Sequence, residues 1–251
     1  MDSKRDFGRL LVIALAAALQ LLLLTLPAAF VNSDYVDRAN GKLAAFLIAV
    51  TLWTFIESLA SGNRLSLPIK ADRPRWLPLA IGLALLTTFW VSLIDAALSR
   101  PTEFGGVAVF GTALMAAGVA VRCFSIRALG GFFVNEVAVL PGQTLMTDGI
   151  YGWIRHPSET GTLAVAFGSS LLLGSEYGLS AGILVLFPLV IWRTRLEDRM
   201  LGNHYPFEFP RYAASVPAFL PGIRRLSPLP GPAGEMKSTR SMPLLSRAKD
   251  M

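Results

Sequence analysis

Gly149-Ile150-Tyr151-Gly152-Trp153-Ile154-Arg155-His156-Pro157-Ser158-Glu159-Thr160-Gly161 sets a cation and an imidazole between apolar segments. Groups so costly to hold near hydrocarbon are usually kept there by a site that uses them. Arg155 supplies a planar fork of donors suited to a carboxylate, and His156 a ring that donates, accepts or stacks. Pro157 has a backbone φ compatible with the first turn of a helix, so the Arg-His pair falls just outside a helix N-terminus. The same residues also describe an ordinary helix start at a membrane surface, with Glu159 in its first turn and Arg155 just outside it.

The chain around this stretch is too apolar for an ordinary soluble domain. Of its 251 residues 53% are hydrophobic and 16% charged, with a mean hydropathy of +0.52, against roughly 25% charged in soluble domains. The net charge of +6 does not indicate nucleic acid, because the basic residues are scattered between apolar runs and form no basic-aromatic stripe. Cys123 is the single cysteine, which rules out an intrachain disulfide, and with only His156 and His204 beside it no metal site is expected.

Apolar segments at 10–31, 43–60, 77–98 and 104–121 each approach the ~20 residues that cross a hydrocarbon core. The first, preceded by Lys4, Arg5 and Arg9, exceeds the ~7–15 residues of a signal-peptide core and is taken as a span. Two shorter runs, 161–175 and 178–192, flank Ser175-Glu176-Tyr177-Gly178 and predict a helical hairpin whose arms reach only about 22 Å each. Pro188 should bend its second arm. With the N-terminus inside, 20 of the 23 Lys and Arg residues fall on the inner side and only Arg38, Lys42 and Arg100 outside, as expected for six spans with both termini cytoplasmic. The fold class expected is all-α: a multi-pass membrane bundle of about six helices with a short C-terminal hairpin. Segment 122–148 reads as a helix end running into an interfacial loop, and the Pro-, Gly-, Ser- and Lys-rich residues from Ser227 onward as disordered.

A second polar cluster, Trp192-Arg193-Thr194-Arg195-Leu196-Glu197-Asp198-Arg199-Met200-Leu201, follows the last apolar run. On a continuing helix Arg193 and Glu197 share a face, and Asp198 stands about 100° round from Glu197. The cluster also suits an interfacial helix end whose charges pair four apart among the headgroups. Beyond it, Tyr205-Pro206-Phe207-Glu208-Phe209-Pro210-Arg211-Tyr212 and Val216-Pro217-Ala218-Phe219-Leu220-Pro221 combine aromatics with helix breakers. They suit either an aromatic belt or a cover over a ligand. Glu57 and Asp95, near span ends, are expected to be solvated, Cys123 to be a plain interfacial thiol, and His204 to have no chemical role.

The ordered set Gly149-x-Tyr151-x-x-x-Arg155-His156-Pro157-x-x-x-Gly161, then two short helices, then Arg193-x-x-x-Glu197-Asp198-x-x-Leu201 resembles the C-terminal signature of the isoprenylcysteine carboxyl methyltransferase and phospholipid methyltransferase group. The likeness covers about 118–223. It implies an integral membrane enzyme that uses S-adenosylmethionine at the cytoplasmic face on a lipid-linked acceptor entering from the bilayer, such as a prenylcysteine-type carboxylate. It further implies that Tyr151, Arg155, His156, Pro157 and Gly161 hold the cofactor, and that the catalytic set is Arg193, Glu197 and Asp198. The chain then divides into N-terminal transmembrane helices over 1–121, a methyltransferase-like region over 122–226 and a tail over 227–251. No metal and no nucleic acid is implied.

Three departures stand out. The group's second tyrosine is Glu159 here, the second glutamate of its pair is Asp198, and its F-G-x-x-Y-x-x-Y stretch becomes Tyr205-Pro206-x-x-Phe209-x-x-Tyr212. A sulfonium cofactor that also carries a carboxylate matches Arg near its anionic end and acidic or aromatic groups near its sulfur. Two other functions fit a similar helical arrangement: a nicotinamide-dependent reductase of the steroid-reductase kind, and a non-catalytic protein that keeps the fold.

Overall fold

The computed structural model describes residues 3–35, 41–61, 74, 76–99, 104–133, 140 and 142–221. The tail expected to be disordered lies outside these residues. Among them the secondary structure is helical throughout, with no strand. The long helices are α1 (Ser3–Val31), α2 (Lys42–Ser61), α3 (Leu77–Leu98), α4 (Gly106–Leu129) and α5 (Pro157–Leu173). After them come α6 (Glu176–Ala181), a π-helical turn at Gly182–Leu186, α7 (Phe187–His204) and the short α8 (Glu208–Ser215).

Helices α4 and α5 form the closest pair, and glycine spacing explains why. Gly111 and Gly118 on α4, and Gly161 and Gly168 on α5, each lie seven residues apart and meet in antiparallel register. A Cβ built on Gly118 would stand 2.8 Å from the Gly161 carbonyl oxygen, and one on Gly168 2.8 Å from that of Gly111. Where lipid tails are as apolar as any side chain, association rests on van der Waals contact between backbones, and only glycine permits this approach. One turn beyond Gly118, the register delivers Arg122 beside Ser158 at the start of α5.

Three helical stretches among the described residues are long and apolar enough to cross a membrane: Leu77–Leu98, Gly106–Phe132 and Glu176–His204. The six expected apolar segments all fall on helices, as the expected all-α bundle requires. Helices α1 and α2 cover the first two expected segments, but α5 has only 17 residues and is buried along most of its length, a central strut and not a lipid-facing span. The second hairpin arm is the reverse case. Running without a break from Glu176 to His204, its 29 residues reach about 44 Å.

Pro188 lacks the N–H that an α-helix would use, and the strain is absorbed before it. The Phe187 N–H donates to Gly182 O, five residues back, which makes the π-turn. The two arms join through Gly174, at φ 72°, and Ser175, whose Oγ caps α6 by accepting from the Gly178 N–H at 2.9 Å. The same hydroxyl donates to Asp95 Oδ2 at 2.7 Å, so Asp95 serves a helix junction and is not simply solvated. Segment 122–148 begins as the expected helix end: α4 continues to Leu129, which puts Arg122 inside the bundle with its charge matched by Glu57 of α2.

Candidate functional site

The motif turn is built from the backbone outward. Gly149, at φ 60°, opens a 3-10 turn over Gly149–Gly152 that buries Tyr151. A left-handed residue costs glycine little and most others more, so this position favours glycine. The chain then passes through a non-helical stretch at Ile154 and Arg155, and Pro157 starts α5 with His156 as its N-cap residue.

A strap from beyond α8 lies across Arg155 and His156. The Arg155 N–H donates to Pro217 O at 2.8 Å and the His156 N–H to Ala218 O at 3.0 Å. Thr160 Oγ1 donates to Phe219 O at 3.0 Å, and the Tyr212 hydroxyl to Tyr151 O at 2.7 Å. These bonds satisfy backbone groups that would otherwise be buried unpaired. They also bring the Phe219 ring to 6.0 Å from the His156 ring and Phe209 beneath the Arg155 guanidinium, likewise at 6.0 Å.

Side chains of α7 complete the cluster. Asp198 Oδ2 accepts from Arg155 Nη1 at 2.9 Å, and its Oδ1 lies 2.9 Å from His156 Nε2. Glu197 Oε2 stands 3.6 Å from His156 Nδ1, so the imidazole sits between neighbouring carboxylates of one helix. Burial alone pulls the His156 imidazolium down. The hydrogen bonds to Asp198 and Glu197 and their charges outweigh it and raise the group to about 9. Both ring nitrogens are therefore donors at neutral pH. Burial pushes the hydroxyls of Tyr151 and Tyr212 well above the usual tyrosine range, so both stay protonated.

Arg193 does not pair with Glu197 four residues on, as the helix spacing suggested. It points to α5, where its Nε lies 3.2 Å from Glu159 Oε1, both side chains being almost fully buried. A second buried pair, Arg122 with Glu57, lies on the α2 side, where Arg122 also donates to Ser158 and stacks over Trp53 and Phe133 at 5.3 and 5.2 Å. The solvated placement expected for Glu57 is thus corrected: an arginine carried into the bundle by glycine packing needs a carboxylate beside it.

Two cavities meet here. One, of about 40 Å³, is lined among others by Tyr151, Arg155, His156, Glu159, Arg193 and Glu197. The other, of about 190 Å³, is lined by Glu57, Arg122, Glu159 and Arg193 on its polar side and by Trp53 and Leu85 on its apolar side. Of the residues singled out in the sequence, Tyr151, Arg155, His156, Pro157, Arg193 and Glu197 line the first cavity, and Asp198 bonds to two of them. Gly161 stands apart. It is packed against α4, where a Cβ would meet Gly118 O at 2.7 Å. Among the described residues no cluster of His, Cys, Asp and Glu is arranged to hold a metal ion. His204 makes a ring contact with Tyr205 at 4.7 Å, and Cys123 is a free, half-buried thiol.

Sequence reasoning missed Arg122, Glu57 and the strap carbonyls. Arg122 and Glu57 are 65 residues apart, and a charge at the end of an apolar run reads as a loop residue. The carbonyls belong to an aromatic, proline-rich segment with no periodicity of its own.

Residues 107–208 match the family model described as phospholipid methyltransferase. The protein-S-isoprenylcysteine O-methyltransferase of Schizosaccharomyces pombe is 34% identical over 84 residues, 32% of this chain and 34% of that protein. Its Saccharomyces cerevisiae counterpart is 30% identical over 117 residues, 46% of this chain and 49% of that protein. A probable protein-S-isoprenylcysteine O-methyltransferase of Oryza sativa subsp. indica is 26% identical over 147 residues, covering 58% and 75%. The chain thus spans between a third and a half of the length of the first two relatives. The helical region that carries Arg122, Arg155, His156, Arg193, Glu197 and Asp198 is, over residues 107–208, related to the phospholipid methyltransferase family and to protein-S-isoprenylcysteine O-methyltransferases.

Proposed function

We propose that this chain is an integral membrane methyltransferase that uses S-adenosylmethionine to methylate a hydrophobic or lipid-linked acceptor. The observation that carries the proposal is the convergence of two polar motifs about 40 residues apart, Arg155-His156 and Glu197-Asp198, into one cluster within the family-matched region. The comparisons favour methyl transfer over a nicotinamide-dependent reductase and over a protein without chemistry, since the relatives are named methyltransferases. Isoprenylcysteine is the acceptor in those names and is the first to be tried. The Lys and Arg bias supports cytoplasmic termini, with the site on that side. The division into 1–121, 122–226 and a tail remains the working description of the chain.

The residues present fit the proposed cofactor. Arg155 Nε is buried without a hydrogen-bond partner although Nη1 is held by Asp198, so the guanidinium keeps a donor for the amino-acid carboxylate. Tyr151 and Glu197 in the same cavity supply the aromatic and acidic groups that suit a sulfonium. The cofactor, when bound, supplies an electrophilic methyl group. Arg155, His156, Pro157 and Tyr151 bind and orient it, and Asp198 holds Arg155 and His156 in register. Arg193 and Glu197 face the reacting region. Gly161 serves by packing α5 against α4, which positions Ser158 and Glu159. Space of about 40 Å³ is small for a nucleotide, so binding requires the lining of the cavity to open.

Calorimetric titration of the detergent-solubilised protein with S-adenosylmethionine and with NADPH tests this reading. Binding of the sulfonium compound alone, reduced at least tenfold in Arg155→Ala and Glu197→Ala, is expected. Unchanged affinity in both variants overturns the site assignment, and preference for NADPH overturns the function.

A further inference from the structure

Helix α7 divides its charges between two faces. At 3.6 residues per turn, Trp192, Arg195 and Arg199 fall within about 60° of one another, on the side opposite the buried Thr194. The carboxylates of these turns face inward, Glu197 to His156 and Asp198 to both His156 and Arg155. Arg195 and Arg199 are exposed, and among the described residues neither is in an ion pair. Two like charges four residues apart on a helix repel each other. An anion placed between them relieves that repulsion and gains charge-assisted hydrogen bonds from both guanidinium groups.

The rest of the same face indicates which anion. Leu184, Val185 and Pro188 come before Trp192 on the exposed side, Leu184 at 74% and Val185 at 47%. Trp192 rests against Trp76, the residue before α3, with ring centroids 5.2 Å apart and both rings partly exposed. Indole rings settle at the level of lipid headgroups, so this pair marks the boundary on two helices at once. Helix length gives the same depth. Counted from Glu176, Trp192 lies about 24 Å along the run, Arg195 about 29 Å and Arg199 about 35 Å, against ~30 Å of hydrocarbon. The face therefore presents apolar residues, then an indole, then two arginines, in the order in which a phospholipid presents acyl chain, glycerol and phosphate.

We infer that Arg195 and Arg199 hold the phosphate of an anionic phospholipid whose acyl chain lies along residues 184–188 of the same helical run. Guanidinium forks match phosphate oxygens in geometry as well as charge. A free phosphate ion would satisfy the arginines and leave the apolar part of the face unused. The bound lipid braces the part of α7 that projects past the hydrocarbon, the part whose inner face holds Arg155 and His156. The inference goes beyond the methyl-transfer reading and does not depend on it. It requires that the run Glu176–His204 cross a bilayer, whatever reaction the site performs.

The test reconstitutes the full chain in nanodiscs of phosphatidylglycerol and phosphatidylcholine in equal parts, and identifies by native mass spectrometry the lipids that stay bound after transfer to detergent. Retention of phosphatidylglycerol over phosphatidylcholine by at least tenfold is expected, because each arginine at the membrane surface adds to the attraction for anionic lipid. The preference should vanish in the double variant Arg195→Gln/Arg199→Gln and persist in Arg127→Gln, which removes an exposed arginine from the last turn of α4. Amides of residues 195–204 should also exchange more slowly in the mixed nanodiscs than in phosphatidylcholine alone, a difference that the double variant abolishes. Equal retention of the two lipids by the unsubstituted protein overturns the inference, as does an equal loss of preference in Arg127→Gln. Displacement of the lipid by inorganic phosphate overturns the assignment to a lipid headgroup, and amide exchange indifferent to lipid composition overturns the bracing of α7. Calorimetric titration of the same samples with S-adenosylmethionine reports on the methyl-transfer reading separately: its failure leaves the lipid site standing, and loss of the lipid preference leaves donor binding standing.

Discussion

His156 Nε2 stands 2.9 Å from Asp198 Oδ1, and this contact joins the start of α5 to α7 in a bundle otherwise held mainly by apolar packing. Asp198 uses its second oxygen for Arg155. One carboxylate thus holds both residues of the motif.

The contact makes stability depend on pH in a definite direction. His156 is held at about 9 in the folded chain against 6.5 when exposed, so the folded state binds more protons than the unfolded state between those values. Stability from this group is complete below about 6.5 and is lost as pH rises through about 9. Thermal unfolding in detergent should show Tm falling over that window, with a shallower fall in His156→Gln. A Tm that rises between pH 7 and 9.5 refutes the assignment.

Replacing Asp198 by Asn keeps the shape and removes the charge that binds both Arg155 and His156. Hydrogen bonds to charged groups contribute about 1.5–3 kcal/mol each, and some of this is offset by solvent at a carboxylate partly open to water. Asp198→Asn should lower Tm by several degrees and weaken S-adenosylmethionine binding at least tenfold. Restoration of both in Asp198→Glu would mark charge, and not exact reach, as the requirement.

Gly161 and Gly168 should respond to bulk more than to chemistry. A Cβ at either position falls 2.7 Å from atoms of α4, and overpacking of this kind costs about 1–3 kcal/mol. Gly161→Ala and Gly168→Ala should therefore destabilise the protein similarly in chemical denaturation, although only Gly161 belongs to the motif. A loss of donor affinity in Gly161→Ala with stability unchanged would return Gly161 to the binding site.

The strap predicts a pattern of amide exchange. Arg155 and His156 donate their N–H groups to Pro217 and Ala218, so both should exchange slowly in the free protein. Tyr212→Phe, which leaves Tyr151 O without its partner at 2.7 Å, should speed exchange at 150–156 while leaving α4 and the centre of α5 protected. Equal acceleration in those helices would indicate global destabilisation instead.

Much of the helical layout was legible because it follows from local patterns. Apolar runs marked where α1 to α4 form, Pro157 the start of α5, and Ser175-Glu176-Tyr177-Gly178 the hairpin connection, whose turn lies at Gly174-Ser175 because α6 already starts at Glu176. The hairpin was misjudged in length because its lower half, past Trp192, is charged: hydropathy ends there, but helical hydrogen bonding does not. The buried state of α5 was hidden for the opposite reason. Its composition resembles that of a lipid-facing helix, and only the facing glycines of α4 reveal a protein neighbour.

For the site, residue order alone identified Arg155, His156, Arg193, Glu197 and Asp198 as polar groups in an apolar chain, since the cost of placing charge near hydrocarbon is a property of each residue by itself. Which charge meets which was decided by tertiary structure. Helix spacing allowed Arg193 to pair with Glu197, yet the crossing of α5 and α7 gives Arg193 to Glu159 and both carboxylates of α7 to His156. Pairing depends on distances across helices, and those are set by the glycine contacts and the π-turn, which no short stretch of sequence contains.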